Sequence, residues 1–154
     1  MLRFNESGYF PYTPSTNLLY GLREALRMLA EEGLPQVFAR HARLAEATRR
    51  AVRAWNLEIW AACPDEYSNT VTTMLLPEGH DAERLRRLVR ERFDMSLGTG
   101  LGRLQGRAIR LGHLGDLNDL TVAGMLCGVE MGLALSGVPF SRGGVDAALA
   151  YLGS

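Results

Sequence analysis

Asn69-Thr70-Val71-Thr72-Thr73-Met74-Leu75-Leu76 is the stretch on which the fold turns. The β-branched run from Thr70 to Thr73 favours a pleated backbone, and Pro77 ends the strand because it has no N–H for a ladder. Upstream the texture differs. From Asn17, read as an N-cap, apolar residues recur at Leu18, Leu19, Leu22, Ala25, Leu26 and Leu29 until Gly33, which predicts a helix. Pro35 opens a second helix at its first position. That helix has a buried stripe of Val37, His41, Leu44, Thr48, Val52 and Trp55, with Arg40, Arg43, Glu46, Arg50 and Arg53 toward the other side. Leu57 to Trp60 is a shorter strand candidate. Residues 1–16, interrupted by Pro11 and Pro14, read as irregular.

Downstream, strand and helix signals alternate. Leu85, Leu88, Val89 and Phe93 predict a third helix from about Asp81 to Phe93. Its arginines 84, 86, 87, 90 and 92, interleaved with Glu83, Glu91 and Asp94, read as a solvated face. Met95 to Gly98 and Arg107 to Leu111 predict short strands around the glycine-rich bend Gly98–Gly102, a long helix follows from near Asn118, and a short one spans Val145 to Leu152. Two long helices followed by βαβ-like alternation indicate an α+β fold, with long helices packed on a small mixed or antiparallel sheet.

The length of 154 residues fits one domain, and 17 basic against 17 acidic residues leave no net charge. No basic field exists to collect nucleic acid or an anionic membrane, so a small molecule or a protein is the expected partner. All 17 basic residues are arginine. The absence of lysine excludes a Walker A loop, a lysine nucleophile or base, and Schiff-base chemistry on this chain's own side chains. Cys63 and Cys127 stand far apart without metal-ligand spacing, which predicts reduced thiols in a cytosol-like compartment. The N-terminus has no apolar core of signal-peptide length. Leu120–Val138, with Glu130 and glycines near its middle, reads as a buried helix of a soluble protein.

Several residues are candidates for chemistry. Gly98, Gly100, Gly102, Gly106, Gly112 and Gly115 cluster in one region; the spacing G-x-G-x-G is not the dinucleotide fingerprint, and tight turns are favoured over ligand contact. In Arg107–His113, alternation puts Ile109 and Leu111 on one face and Arg110 with Ala108 and Gly112 on the other. Small neighbours leave room over a guanidinium, whose planar fork suits a carboxylate. The alternative is an exposed or ion-paired arginine, which composition alone favours. His113 is an acid–base candidate against a structural role, and His41, His80 and His113 share no metal-ligand spacing. Gly124, Gly128 and Gly132 form an i, i+4, i+8 stripe. Each costs about 1 kcal/mol of helix propensity relative to alanine, so a helix or sheet is expected to approach that face closely.

Tyr12-Thr13-Pro14-Ser15-Thr16-Asn17-Leu18-Leu19-Tyr20-Gly21-Leu22-Arg23, Glu32-Gly33-Leu34, Arg40-His41-Ala42-Arg43-Leu44, Ser96-Leu97-Gly98-x-Gly100-Leu101-Gly102 and Ile109-Arg110-Leu111-Gly112-His113-Leu114-Gly115-Asp116 occur in that order. Together they resemble, over essentially the whole chain, the C-terminal part of the serine–glyoxylate aminotransferases, class V members of the fold-type I pyridoxal-phosphate enzymes. The resemblance implies that 1–33 is the end of the large domain, with a cofactor-phosphate loop and a connecting helix, and that 34–154 is the C-terminal small domain. It implies that Arg110 holds the substrate carboxylate. Thr13, and secondarily Tyr12, would reach the cofactor phosphate of a partner subunit in a cytoplasmic homodimer. Phe10 stands where relatives carry another aromatic, and the resemblance gives His113 no catalytic role.

The cofactor lysine and the acid that pairs with the pyridinium nitrogen would lie upstream of Met1, in an N-terminal large domain. The expected activity is transfer of an amino group from serine or alanine to glyoxylate, with this chain inactive alone and contributing no catalytic residue. The alternative is a non-catalytic remnant, or a module that binds a carboxylate or a partner. Exposed apolar surface on the first long helix is the expected mark of a fragment.

Overall fold

A computed structural model describes residues 2–154, and the chain divides into two compact units, Met1–Phe38 and Ala39–Ser154.

The first unit holds α1 (Leu2–Glu6) and α2 (Thr16–Glu32). The turn of helix at α1 corrects the irregular reading of residues 1–16. Gly8 at φ +75° lets the Tyr9 N–H reach back to the Phe4 carbonyl at 3.0 Å, and the Ser7 hydroxyl donates to the same oxygen at 2.9 Å. The prolines act only from position 11 onward. α2 starts with Ser15 in the N-cap position, so Asn17 lies inside the first turn; it stops where Gly33, at φ +85°, donates its N–H to Leu29 at 3.0 Å. Arg27 pairs with Glu24 and Glu31 along the polar side. No residue of α2 is buried, and Leu18, Leu22 and Leu26 are 74%, 56% and 57% exposed.

α3 (Leu34–Ala54) carries the chain into the second unit, which adds β1 (Val71–Leu75), α4 (Ala82–Phe93), β2 (Gly98–Thr99), β3 (Ala108–Gly112), α5 (Asp119–Ser136) and α6 (Gly144–Leu152). The sheet order is β1-β3-β2, with β3 antiparallel to both neighbours. β1 and β2 therefore run in the same direction, joined through α4, with β3 inserted between them. This split arrangement explains a sequence that alternates like βαβ while every ladder is antiparallel.

Two strand expectations shrink. Leu57–Trp60 gives only the bridge Ile59–Met74, because Asn56 at φ +58° and the turn Pro64–Glu66 confine it at both ends. Met95–Leu97 stays outside β2, because Asp94 caps α4 in the left-handed region, at φ +51°, and Met95 leaves toward α5.

Ile109, Leu111 and Met74 on the inner face of the sheet meet Leu44 and Val52 of α3, Trp55 just past its end, Leu85 and Val89 of α4, and Leu126, Val129 and Leu133 of α5, all fully buried. The glycine stripe on α5 is approached at two of its three positions. A Cβ on Gly132 would lie 2.4 Å from Val89 Cγ2 and one on Gly128 would lie 2.6 Å from Met95 Cε, while Gly124 faces open space. α5 is long and apolar enough to cross a membrane by length and composition. It is buried along one face rather than all round: Leu120, Met131 and Leu135 are exposed, and the buried side includes the face packed on α4.

Glu130, in the middle of that apolar helix, ties three elements together. Its carboxylate accepts from Trp55 Nε1 at 2.6 Å and from the Val145 N–H at 3.1 Å, at the start of α6. Burial pushes its pKa up, but the hydrogen bonds from Trp55 and from the first amides of α6 outweigh this and hold it below the usual carboxylate range. Gly144 is required beside this joint, since a Cβ there would lie 2.1 Å from Trp55 Nε1. Cys63 and Cys127 are both free and exposed.

Candidate functional site

The outer face of the sheet, opposite the core, carries Arg110 at its centre. Ile109 and Leu111 point inward and are fully buried, so Arg110 points outward, with Thr73 of β1 on one side and Gly98 of β2 on the other. Gly98 is the seat of the arginine stem: a Cβ there would come within 2.9 Å of Arg110 Cβ and 3.3 Å of its Nε. The side chain can therefore lie across β2, and its Nε donates to the Thr99 carbonyl at 2.8 Å. Gly100 donates to Ala108 at 3.0 Å across the ladder, so the alternation of antiparallel pairing turns the Thr99 carbonyl toward the open edge of the sheet.

Arg110 is half-buried, and among the described residues its two terminal nitrogens have no partner. A guanidinium with its stem fixed and its fork unoccupied can take a carboxylate bidentately. The glycine cluster thus divides. Gly98 admits a side chain, whereas Gly100 makes a tight turn in which a Cβ would lie 2.1 Å from the Leu104 carbonyl oxygen.

Thr99 and, behind it, Glu83 of α4 were not among the candidates from sequence. Thr99 donates its hydroxyl to Glu83 Oε1 at 2.5 Å. The only trace of this contact in the sequence is a threonine beside Gly98, because the partnership exists only once α4 crosses the sheet edge. Arg86, read as part of a solvated face, is half-buried; it pairs with Glu83 and donates from Nε to the Leu97 carbonyl at 2.7 Å.

His113, the residue after β3, is fully buried. Its Nδ1 donates to the Asn69 carbonyl at 3.2 Å, and its Nε2 accepts from the Thr72 hydroxyl at 2.9 Å, an assignment that follows from the partners. Both ring nitrogens are occupied in joining β3 to β1, which is a structural role. Burial pushes the imidazole down from 6.5 to about 4, with the Arg49 charge adding to the shift. The unfolded chain therefore takes up this proton more readily than the folded one, and the stability from neutral His113 is complete above pH 6.5 and lost as the pH falls toward 4. Between pH 7 and pH 5 the wild type is expected to lose about 2 kcal/mol more than His113→Gln, measured by urea unfolding at the two pH values.

The loop after His113 is held from α3. Arg40 donates to the carbonyls of Gly115 at 2.7 Å and Leu117 at 3.1 Å, Gly115 donates to His41 Nε2 at 3.1 Å, and Arg43 pairs with Asp119. His41, expected in the core stripe, serves this loop instead.

Tyr12 and Thr13 lie in the first unit, in the exposed segment between Pro11 and Pro14, and Arg110 lies in the second. Neither the Tyr12 nor the Thr13 hydroxyl has a hydrogen-bond partner among the described residues, so both are available as donors to a phosphate. Phe10 is 61% exposed.

No family model matches the chain. Among curated proteins it is 51% identical over 149 residues to the serine–glyoxylate aminotransferase of Methylorubrum extorquens, covering 96% of this chain and 37% of the relative. It is 48% identical over 153 residues to the enzyme of that name from Arabidopsis thaliana, covering 98% and 38%. The chain thus spans well under half the length of these relatives. Among solved structures it superimposes on the pyridoxamine–pyruvate aminotransferase of Mesorhizobium loti with a TM-score of 0.87 at 34% identity, covering 94% of this chain and 37% of that one. The ureidoglycine–glyoxylate aminotransferase of Bacillus subtilis gives a TM-score of 0.86 at 28% identity, covering 93% and 37%.

Proposed function

This chain corresponds to the C-terminal portion of the serine–glyoxylate aminotransferases, and from that premise we propose that it supplies the substrate-carboxylate grip of a pyridoxal-phosphate aminotransferase acting between serine or alanine and glyoxylate. The observation that carries the reading is the unoccupied fork of Arg110, fixed at its Nε to Thr99 and open on the outer face of the sheet. An amino donor and glyoxylate share a carboxylate and differ elsewhere. One guanidinium therefore orients both, first the donor and then the acceptor, against the same reacting position.

Pyridoxal phosphate, when bound, supplies the electron sink for the bond broken at the α-carbon. Thr13, with Tyr12, donates to its phosphate across a homodimer interface. The free hydroxyls of both residues suit that task, but no residue of this chain can attach the cofactor, because the chain has no lysine. Covalent attachment and movement of the α-proton are therefore assigned to an N-terminal portion that carries the lysine. The apolar face of α2 supports this division, since Leu18, Leu22 and Leu26 are left uncovered and call for a protein surface over them.

The test is complementation. Treated with pyridoxal phosphate and borohydride, this chain alone is expected to carry no covalent adduct and to catalyse no transamination. Co-expression with the lysine-bearing N-terminal portion of a relative restores both, with the adduct on that portion. If both parts fold and associate without restored activity, the enzymatic reading fails and the chain is a carboxylate- or partner-binding module.

A further inference from the structure

We propose that Thr99 and Glu83 are positioning residues for Arg110: α4 sets the aim of the carboxylate fork by gripping the two-residue edge strand over which the arginine lies. The proposal rests on the assignment of Arg110 as the substrate-carboxylate residue.

β2 is only Gly98–Thr99, bordered by Gly100, and has a ladder on one side alone. Such a strand is soft by itself. Its outer carbonyl is nevertheless the group that holds Arg110 Nε, so any drift of Thr99 is passed directly to the guanidinium. Two contacts from α4 prevent the drift. Thr99 pairs with Ile109, so its side chain faces inward, where its hydroxyl donates to Glu83 Oε1 at 2.5 Å. Glu83 also pairs with Arg86, whose Nε donates to the Leu97 carbonyl at 2.7 Å, just before β2. Asp81 caps the start of α4 by accepting from the Glu83 N–H at 2.9 Å, which fixes the backbone from which Glu83 extends. α4 thus holds β2 at both ends, and Thr99 links the two faces of the sheet: its hydroxyl is held on the inner side and its carbonyl holds Arg110 on the other.

The test uses the complemented aminotransferase and steady-state kinetics with serine and glyoxylate. Thr99→Val keeps the shape of the side chain and the carbonyl but removes the hydroxyl tether; Thr99→Ser keeps the tether. The expected result for Thr99→Val, and for Glu83→Ala, is a rise in KM of about tenfold for both acids, with kcat within about twofold, as misplacement of a binding group predicts. Thr99→Ser returns KM close to wild type. In an Arg110→Ala background, Thr99→Val adds no further rise. A merely structural role would lower the amount of folded enzyme and leave KM unchanged. Wild-type KM in folded Thr99→Val, or a further tenfold rise on top of Arg110→Ala, would overturn the proposal. Arg110→Ala with unaltered KM would instead overturn the assignment of Arg110 itself.

Discussion

Arg110→Ala in the complemented enzyme is expected to lower kcat/KM for serine and for glyoxylate by about 10²–10³. That corresponds to about 3–4 kcal/mol, the range for truncating one partner of a close hydrogen-bonded charge pair. Both substrates suffer together, since both present the carboxylate to the same fork. Arg110→Lys recovers only part of the loss, because an ammonium restores the charge without the planar pair of donors. Stability is a separate matter. Arg110 lies on the outer face and its side chain makes a single hydrogen bond among the described residues, so the urea midpoint of Arg110→Ala should stay close to wild type. Equal kcat/KM in wild type and Arg110→Ala would remove the carboxylate role; a loss confined to one of the two acids would mean that they bind to different groups.

Trp55→Ala is the substitution expected to damage folding most, by about 3–5 kcal/mol, since it empties a large site in a core that is otherwise fully buried. The damage extends beyond volume. Trp55 Nε1 is one of the donors that hold the Glu130 carboxylate, and that donor is lost with the ring. Trp55→Phe separates the two contributions: it keeps most of the ring and is expected to cost about 1–3 kcal/mol for the lost hydrogen bond to a charged acceptor. Gly144→Ala tests the same joint from the other side, because its Cβ would overlap the indole at 2.1 Å and force α6 or the ring to move. Urea unfolding of the three variants gives the order. A Trp55→Ala variant within 1 kcal/mol of wild type would show that this core collapses around the gap.

The helices from α2 onward were legible because their signals are local. Apolar spacing and Gly33 bound α2, and Asp81 and Asn118 cap α4 and α5 with their own side chains, at Glu83 and Thr121. β1 and β3 were legible for a similar reason, since β-branched residues and a two-residue alternation need no partner to be recognised. Contacts that exist only after folding could not be read. Nothing near Glu130 announces that its carboxylate meets Trp55 and the start of α6, because those groups come from three separate elements. Arg49 is buried against Glu46 and the Ser68 carbonyl although it belongs to an arginine-rich helix, and His113 is silenced by Thr72 and Asn69 far back in the chain. At Arg110 the sequence conveyed the side of the strand and the small neighbours. It could not convey that Gly98 is the slot in which the stem lies, because glycine at a bend and glycine under a side chain look alike in sequence.

Arg110 lying across Gly98 also has a consequence for solubility. Edge strands recruit foreign chains through unpaired amides and carbonyls. Here one edge is two residues long and its outward carbonyl, at Thr99, is already taken by Arg110, while the other edge, β1, is covered at Met74 by the bridge to Ile59. The sheet therefore offers little for a growing fibril to copy. Self-association of the isolated chain is accordingly expected to involve the uncovered apolar side of α2, to retain helical rather than cross-β signatures, and to be relieved by polar substitutions at Leu18 and Leu22.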